Sequence, residues 1–546
     1  MKKTVIKKAI PPTLVVTAVF FLNYYLFGME NTLIGPFLTL SYLKFKEMED
    51  YRGCMLRSLG IYMVMAVVAY MALLHPVLYV FCNGAALFWI GYFLIDEYNP
   101  LNYFPAGMAL IFFQISPVSV ERLPRRLLAL LVSFGVVYMF LVVSGRVRKS
   151  KKSKIEQMTE EGIVISTEML EFLKEGKHEK AREKSNFLCG LNRRISLYLY
   201  ESNRSSLKKE VMENQFCDYI AFFQMMNYLA STIQEGETGD SKVQLQQMEQ
   251  LLEEYREKYV ERTGRENANL KSKRNGIETS ITRKLYFREN PMDIRSFRLR
   301  FALRQVLVMT PCLLYGYLCP WENGYWLAIS VFFMMIPVYE NTFNRVSQRI
   351  RGSILGIIIC LVAFAVFQDF WSRVLLMTIA NFFIYCSGSY TTMVMCITCS
   401  ALALNFGTDY YVTMLLQRLL YTLAGAVIAL GANLWIFRIR AWRQCEYVME
   451  LLEELKEKMK AAVQQKNPVL PKEGNGQIEK LKDTEENRLV EMNRIMVKSY
   501  LLGSRMQEFN DIANQEHKRE DIDKYIRTHM LYISKHMLLE YIQREA

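Results

Sequence analysis

Residues 126–148, RLLALLVSFGVVYMFLVVSGRVR, and residues 418–440, RLLYTLAGAVIALGANLWIFRIR, between them decide the fold. Each is an apolar run opened by an arginine and closed by two more, and at about 1.5 Å per helical residue each spans the roughly 30 Å of a bilayer's hydrocarbon core. They are also one segment written twice. Arg126-Leu127-Leu128 corresponds to Arg418-Leu419-Leu420, and Arg146 and Arg148 to Arg438 and Arg440, always 292 residues apart (126 to 418, 146 to 438). The same offset holds upstream, where Glu30-Asn31 answers to Glu322-Asn323, Arg57 to Arg349 and Gly60 to Gly352. Single matches arise by chance; this many in one register mark an internal repeat.

Apolar runs at 9–27, 32–43, 58–74, 77–95, 103–115 and 127–144 make a first bundle of six spans, and runs at 301–318, 325–338, 353–367, 371–387, 390–406 and 414–437 make a second. Basic residues flank them in a pattern: Lys2, Lys3, Lys7 and Lys8 precede the first span, Lys44, Lys46, Arg52 and Arg57 follow the second, and Arg146, Arg148 and Lys149 follow the sixth. The second bundle repeats it with Arg295, Arg298 and Arg300, then Arg345, Arg349 and Arg351, then Arg438 and Arg440. Positive charge is retained on the cytoplasmic side, so both bundles insert the same way up with both termini in the cytoplasm, a parallel repeat about an axis along the membrane normal. The expected fold is an all-α membrane protein of two parallel-repeat bundles of six transmembrane helices, each followed by a soluble helical region. The divisions fall at 1–148, 149–294, 295–440 and 441–546. The first residues look like a signal peptide but lack a small-x-small cleavage site, so an uncleaved first helix is expected.

The 546 residues are 51% hydrophobic with a mean hydropathy of +0.06, an average over an apolar half and a charged half. The net charge of +13 sits at the ends of the apolar runs, where membrane orientation accounts for it without nucleic acid. Eleven cysteines are scattered, mostly within spans, and Cys396-x-x-Cys399 lies in an apolar run without histidine or acid, which suits packing better than metal or redox chemistry. No P-loop, paired-histidine metal motif or nucleophile elbow appears, and the five histidines show no ligand spacing, so neither an enzyme nor a cofactor or metal is expected. In the soluble half, 216–233 reads as an amphipathic core helix interrupted by Asp218, Gln224 and Asn227, 235–240 as a loop, and the following stretch as a charged helix to about Tyr259. Val448, Leu451, Leu452, Leu455 and Met459 mark one apolar helix face, and 467–477 is a linker rich in proline and glycine.

Several residues are candidates for function. Arg126 and Arg418 open the last helix of each bundle on the predicted outer side, against the positive-inside trend. A central arginine costs about 2.5–3.5 kcal/mol on insertion scales, so such a residue faces a cavity or partner, or snorkels to headgroups. As a pair across the pseudo-two-fold they would attract an anion. Glu30 and Glu322 in the outer hairpins, with Asp369 and Asp409 near outer ends, are candidates for proton coupling or ordinary solvated carboxylates. Asn31 and Asn323 read as N-caps of the next helix. The spans after these hairpins, 32–43 with Gly35-Pro36 and 325–338 with Pro337, are short against the ~20 residues of a crossing. Matched short or broken segments point to a transport site, and a tilted helix extended by its charged flank explains the length equally well. Arg57 and Gly60, and Arg349 and Gly352, start each third helix, the arginines as anchors to lipid phosphate and the glycines as close-packing positions.

The stretch Glu322-Asn323-Gly324-Tyr325-Trp326, then Pro337, Arg345, Arg349 and Arg351-Gly352-Ser353-Ile354-Leu355-Gly356, resembles the fusaric acid resistance and aromatic acid exporter family. That family carries a Tyr-Trp at the start of a span, a later proline and an Arg-x-x-Gly-Thr-x-x-Gly element; Ser353 here replaces the threonine and keeps its hydroxyl. The likeness is concentrated in 300–356, while the first half lacks the Tyr-Trp. The resemblance implies an inner-membrane exporter of aromatic or related carboxylic acids, driven by the proton gradient, with Tyr325 and Trp326 joining Arg126 and Arg418 at the substrate and Gly356 closing the structural motif. It further implies a periplasmic or extracellular adaptor, and a second copy of the chain, as candidate partners beside the bilayer and the organic anion. The layout is also similar to that of the plant aluminium-activated malate transporters, which are anion channels.

Overall fold

The computed structural model of the protein describes residues 3–48, 51–95, 100–148, 154–205, 212–235, 241–268, 295–319, 323–366, 369–403, 411–464, 475–513 and 516–545. The first bundle consists of α1 (Lys3–Phe27), α2 (Ile34–Glu47), α3 (Tyr51–Ala72), α4 (Pro76–Trp89, continued by a π-turn over Ile90–Leu94), α5 (Phe104–Ile115) and α6 (Leu123–Arg148). After α7 (Lys154–Lys174), α8 (His178–Ser205), α9 (Met212–Glu235) and α10 (Ser241–Ala268), the second bundle follows. It consists of α11 (Phe297–Leu318), α12 (Tyr325–Met334), α13 (Tyr339–Val366), α14 (Phe370–Cys386), α15 (Tyr390–Ala403) and α16 (Tyr411–Trp435). The chain ends with α17 (Ala441–Gln464), α18 (Asn475–Ala513) and α19 (Glu516–Glu545). Every described regular element is helical, and seven helices are long and apolar enough to cross a bilayer, with α5, α12, α14 and α15 shorter and apolar. The protein is an all-α, multi-pass membrane protein.

The chain divides into two compact units, one formed by 1–150 with 290–443 and the other by 151–289 with 444–546. In the first unit the bundles interlock. The π-turn of α4 packs on α11, where Gly91 meets Ala302 so closely that a Cβ would stand 3.0 Å from its Cα. Nearby, Tyr79 stacks on Tyr317 with ring centroids 4.6 Å apart, and its hydroxyl lies 2.6 Å from Gln114 Oε1. Gln114 Nε2 in turn donates to Asn83 Oδ1 at 2.6 Å, so Tyr79, Gln114 and Asn83 pair with one another, as a low-dielectric interior favours.

The basic stretch ahead of the third span is helical. α13 begins at Tyr339, well before 353, so Arg345, Arg349 and Arg351 lie inside the helix and not at its flank. α3 likewise begins at Tyr51 and includes Arg57.

The second unit is organised around α9. Tyr219 through Met226 are buried without interruption, so this helix is enclosed on all sides rather than amphipathic. Its polar residues are bonded internally: Gln224 Nε2 donates to Met530 O at 3.0 Å, and Ser185 donates to Asn227 Oδ1 at 3.0 Å. α10 runs on to Ala268, beyond the expected end near Tyr259, while 236–240 and 465–474 lie outside the described residues. On α17, Val448, Leu452, Leu455 and Met459 are buried on one face, as the spacing predicts.

Candidate functional site

Pro337 shapes the site. Proline has no N–H and its ring collides with the carbonyl four residues back, here Phe333, while the residue before it is driven toward extended backbone. α12 accordingly stops at Met334 after ten residues, and the next helix starts at Tyr339. Four of the carbonyls released by the break find side-chain donors. Phe333 O accepts from Arg345 Nε at 3.4 Å, Met335 O from the Tyr103 hydroxyl at 3.2 Å, and Ile336 O and Pro337 O from Arg304 Nη2 at 3.0 and 2.7 Å. A broken helix buried in protein is tolerated when its backbone is satisfied in this way. Arg304 is a charge within the apolar run 301–318, and nothing local in the sequence marks it as the donor to carbonyls more than 30 residues away.

α13 then runs back along α12. Val346 clusters with Met334, and the Arg349 guanidinium lies 4.7 Å from the centroid of the Phe333 ring while its Nη1 donates to the Tyr390 hydroxyl at 3.3 Å. At the other end of α12 the Arg418 guanidinium lies 5.3 Å from the Trp326 ring, and Arg349 acts on it as a like charge. Arg349 and Arg418 are 1% and 3% exposed. Between their levels come Ser330, one turn along α12 from Trp326, and Ser353, one turn along α13 from Arg349, each step about 6 Å. Both hydroxyls are buried without a hydrogen-bond partner, as are the Nε atoms of Arg349 and Arg418. α16 closes the third side at Gly425, where a Cβ would stand 2.8 Å from that of Ser330.

The electrostatics of this place are one-sided. The buried charged residues described in the membrane unit are Arg126, Arg304, Arg349 and Arg418, and none of its described carboxylates is buried. Cation–π contacts attract a guanidinium but the rings carry no net charge, so the aromatic faces leave the positive charge of the pair uncompensated. What the arrangement can do is bind an anion, with the Trp326, Phe333 and Tyr390 rings alongside.

Three expectations are corrected. Arg126 does not mirror Arg418: its Nε donates to Asn31 Oδ1 at 3.2 Å, Nη1 to Phe113 O at 3.1 Å, and Nη2 to Glu30 O at 3.1 Å and to Ser116 O. It clasps the first hairpin to the end of α5. Arg349 is not a lipid anchor but a buried residue, whereas Arg57, its counterpart by register, is exposed. Neither asparagine caps a following helix: Asn31 Nδ2 donates back to Phe27 O at 2.9 Å, and Asn323 Nδ2 donates to Gln417 Oε1 at 2.9 Å.

The remaining candidates separate by position. Tyr325 lies beside Trp326 with centroids 5.9 Å apart and donates to Asn323 Oδ1 at 3.4 Å. Glu30 is bonded to the exposed Arg122 at 3.2 Å, and Asp369 is exposed at the start of α14. Glu322 and Asp409 lie outside the described residues. Gly35-Pro36 falls in the first turn of α2 and does not interrupt it, so the helix break belongs to the second bundle alone among the described residues. Gly352 and Gly356 pack against the α15 backbone, where a Cβ would stand 2.6 Å from Thr391 O and 2.8 Å from Met395 O, whereas Gly60 has open space. No group of three or more His, Cys, Asp or Glu residues able to hold a metal occurs among the described residues.

Fold and site together define a multi-pass helical membrane protein with a buried basic, aromatic-lined pair of arginines beside a broken helix. Residues 311–432, which hold α12 to α15 and most of α16, match the family described as fusaric acid resistance protein-like. The chain is also 27% identical over 242 residues to a protein of Synechocystis sp. described as uncharacterized, the match covering 42% of this chain and 29% of that protein. No solved structure matches the chain.

Proposed function

We propose that the protein exports organic anions, aromatic carboxylates above all, across a bacterial cytoplasmic membrane, with both termini in the cytoplasm and the proton gradient as the driving force. The two bundles are read as a duplicated unit inserted the same way up. One observation carries the reading: Arg349 and Arg418 are both buried and act on each other as like charges, with no buried carboxylate among the described residues of the membrane unit, Arg349 lying against Phe333 and Tyr390 and Arg418 against Trp326. Guanidinium groups take the carboxylate and ring faces take the aromatic body. The fusaric acid resistance protein-like match over residues 311–432 supports a transporter of this class. Tyr325 and Trp326 contact the substrate, while Glu30 and Asp369, reachable from solvent, are candidates with Glu322 and Asp409 for exchanging the coupling proton. An adaptor on the far side, or a second copy of the chain, would extend the route.

Full-length protein reconstituted in vesicles should move benzoate uphill under an imposed pH difference, and Arg418→Gln should reduce that flux at least tenfold, the loss of about 1.4 kcal/mol of binding. A second reading, a passive anion channel, is favoured by arginine's being the sole buried charged residue type described in the membrane unit. Flux that only ever runs downhill would select the channel, and no flux of any organic anion would remove both.

A further inference from the structure

The buried arginine pair needs an anion even when no organic substrate is bound. Arg349 and Arg418 are each at least nine-tenths buried, and the Arg418 guanidinium has no hydrogen-bond acceptor among the described residues. Ser330 and Ser353 bring two further buried hydroxyls, both without partners, to the level between the two guanidiniums. Arg349 Nε, Arg418 Nε and the two hydroxyls, contributed by α12, α13 and α16, are thus four buried polar groups without partners, all able to donate, within about two helical turns of one another, and no carboxylate among the described residues of the membrane unit is buried with them. A hydroxyl can donate to a halide as readily as to a carboxylate, and a guanidinium binds either.

We propose that a small inorganic monoanion, chloride in its ordinary surroundings, occupies the Arg349–Ser330–Ser353–Arg418 site between turnovers and is displaced by the carboxylate of the organic substrate. This rests on the anion-transport reading for the displacement, though not for the occupancy. No bond is made or broken; one anion replaces another, so the site's charge balance is kept throughout the cycle. A lipid headgroup is a poor occupant because the donors are buried away from the surface, and inorganic phosphate would bring a second negative charge and a larger shell to satisfy.

Thermal unfolding of the purified full-length protein in detergent, followed at fixed ionic strength while potassium chloride replaces potassium methanesulfonate, a bulkier monoanion without a carboxylate, tests the occupancy. The expected result is a saturable rise in Tm of about 3 °C or more in chloride, by mass action on the folded state. Arg418→Gln and Ser330→Ala should flatten that rise, and the serine variant removes only one hydroxyl, which guards against a variant that fails to fold. Bromide soaked into crystals of the wild-type protein should give anomalous density between Arg349 and Arg418. Equal Tm values in chloride and methanesulfonate, or a chloride effect that survives both substitutions, would overturn the proposal. Benzoate should lower the apparent chloride affinity; chloride binding without such competition would leave the occupant in place and remove the shared transport site, whereas benzoate flux indifferent to chloride would remove the occupant and leave the transport reading.

Discussion

Arg126 and Arg418 align without a gap, yet one has four hydrogen bonds and the other lies over an indole ring with none among the described residues. The physical difference is what surrounds each. Arg126 faces the carbonyls at the end of α5 and in the hairpin before α2, groups that are otherwise short of donors in an apolar interior. Replacing it with glutamine strands most of them, and since each buried unsatisfied group costs about 1–3 kcal/mol, a net loss of roughly 3 kcal/mol is expected after partial relaxation. Arg126→Gln should therefore lower Tm in detergent by several degrees, while Arg418→Gln in methanesulfonate should hold Tm and lose flux. Equal destabilisation by both would mean that the clasp is not what Arg126 contributes. The charges were legible in the sequence because arginine stands out at the edge of an apolar run. Their roles were not, because the acceptors of Arg126 lie 10 to 96 residues away and nothing local announces them.

The break after α12 and the tight seam between α13 and α15 come from few residues. Pro337 was legible as an interruption, and its consequence, a free Phe333 carbonyl taken by Arg345, follows from ring geometry. The matching interruption expected at Gly35-Pro36 fails because a proline in the first turn lacks only an N–H that the helix leaves unbonded there anyway. Glycine reads ambiguously for a related reason: the sequence names the residue but not the neighbour. Gly352 and Gly356 each meet an α15 carbonyl, at Thr391 and Met395, whereas a Cβ at Gly60 would meet nothing within 4 Å. Gly352→Ala and Gly356→Ala should each destabilise by about 1–3 kcal/mol through overpacking, with Gly60→Ala near zero or slightly stabilising. Thermal unfolding of the three variants side by side checks this, and a Gly60→Ala loss as large as the other two would contradict the packing account.

The split of the chain into an apolar and a charged half was legible from hydropathy, since a bilayer and water select opposite residues over long stretches. How the charged half folds was not, because its core joins segments some 300 residues apart, such as Asn192 with Tyr500 and Gln224 with Met530 and Ser534. That core holds His529, 4% exposed on α19, its Nε2 within 3.1 Å of Ser499 Oγ and its Nδ1 without a partner. Burial, the largest effect, pushes the imidazole down to about 4, with the Lys456 ammonium acting in the same direction and the Glu453 carboxylate opposing them. A folded-state value below the unfolded 6.5 means that the unfolded chain binds more protons in between. Stability from this group is thus fully present above pH 6.5 and lost as pH falls toward 4, about 2 kcal/mol of it between pH 7 and pH 5. Hydrogen exchange in the full-length protein, corrected for intrinsic rates, should show α18 and α19 opening more readily at pH 5 than at pH 7, and His529→Gln should remove most of the difference. Protection that is the same at both values in the wild type would show that the imidazole is not held neutral by the fold; protection that falls equally in the variant would assign the acid sensitivity to carboxylates such as Glu453, which the Tyr525 hydroxyl and the Lys456 ammonium hold below the ordinary range.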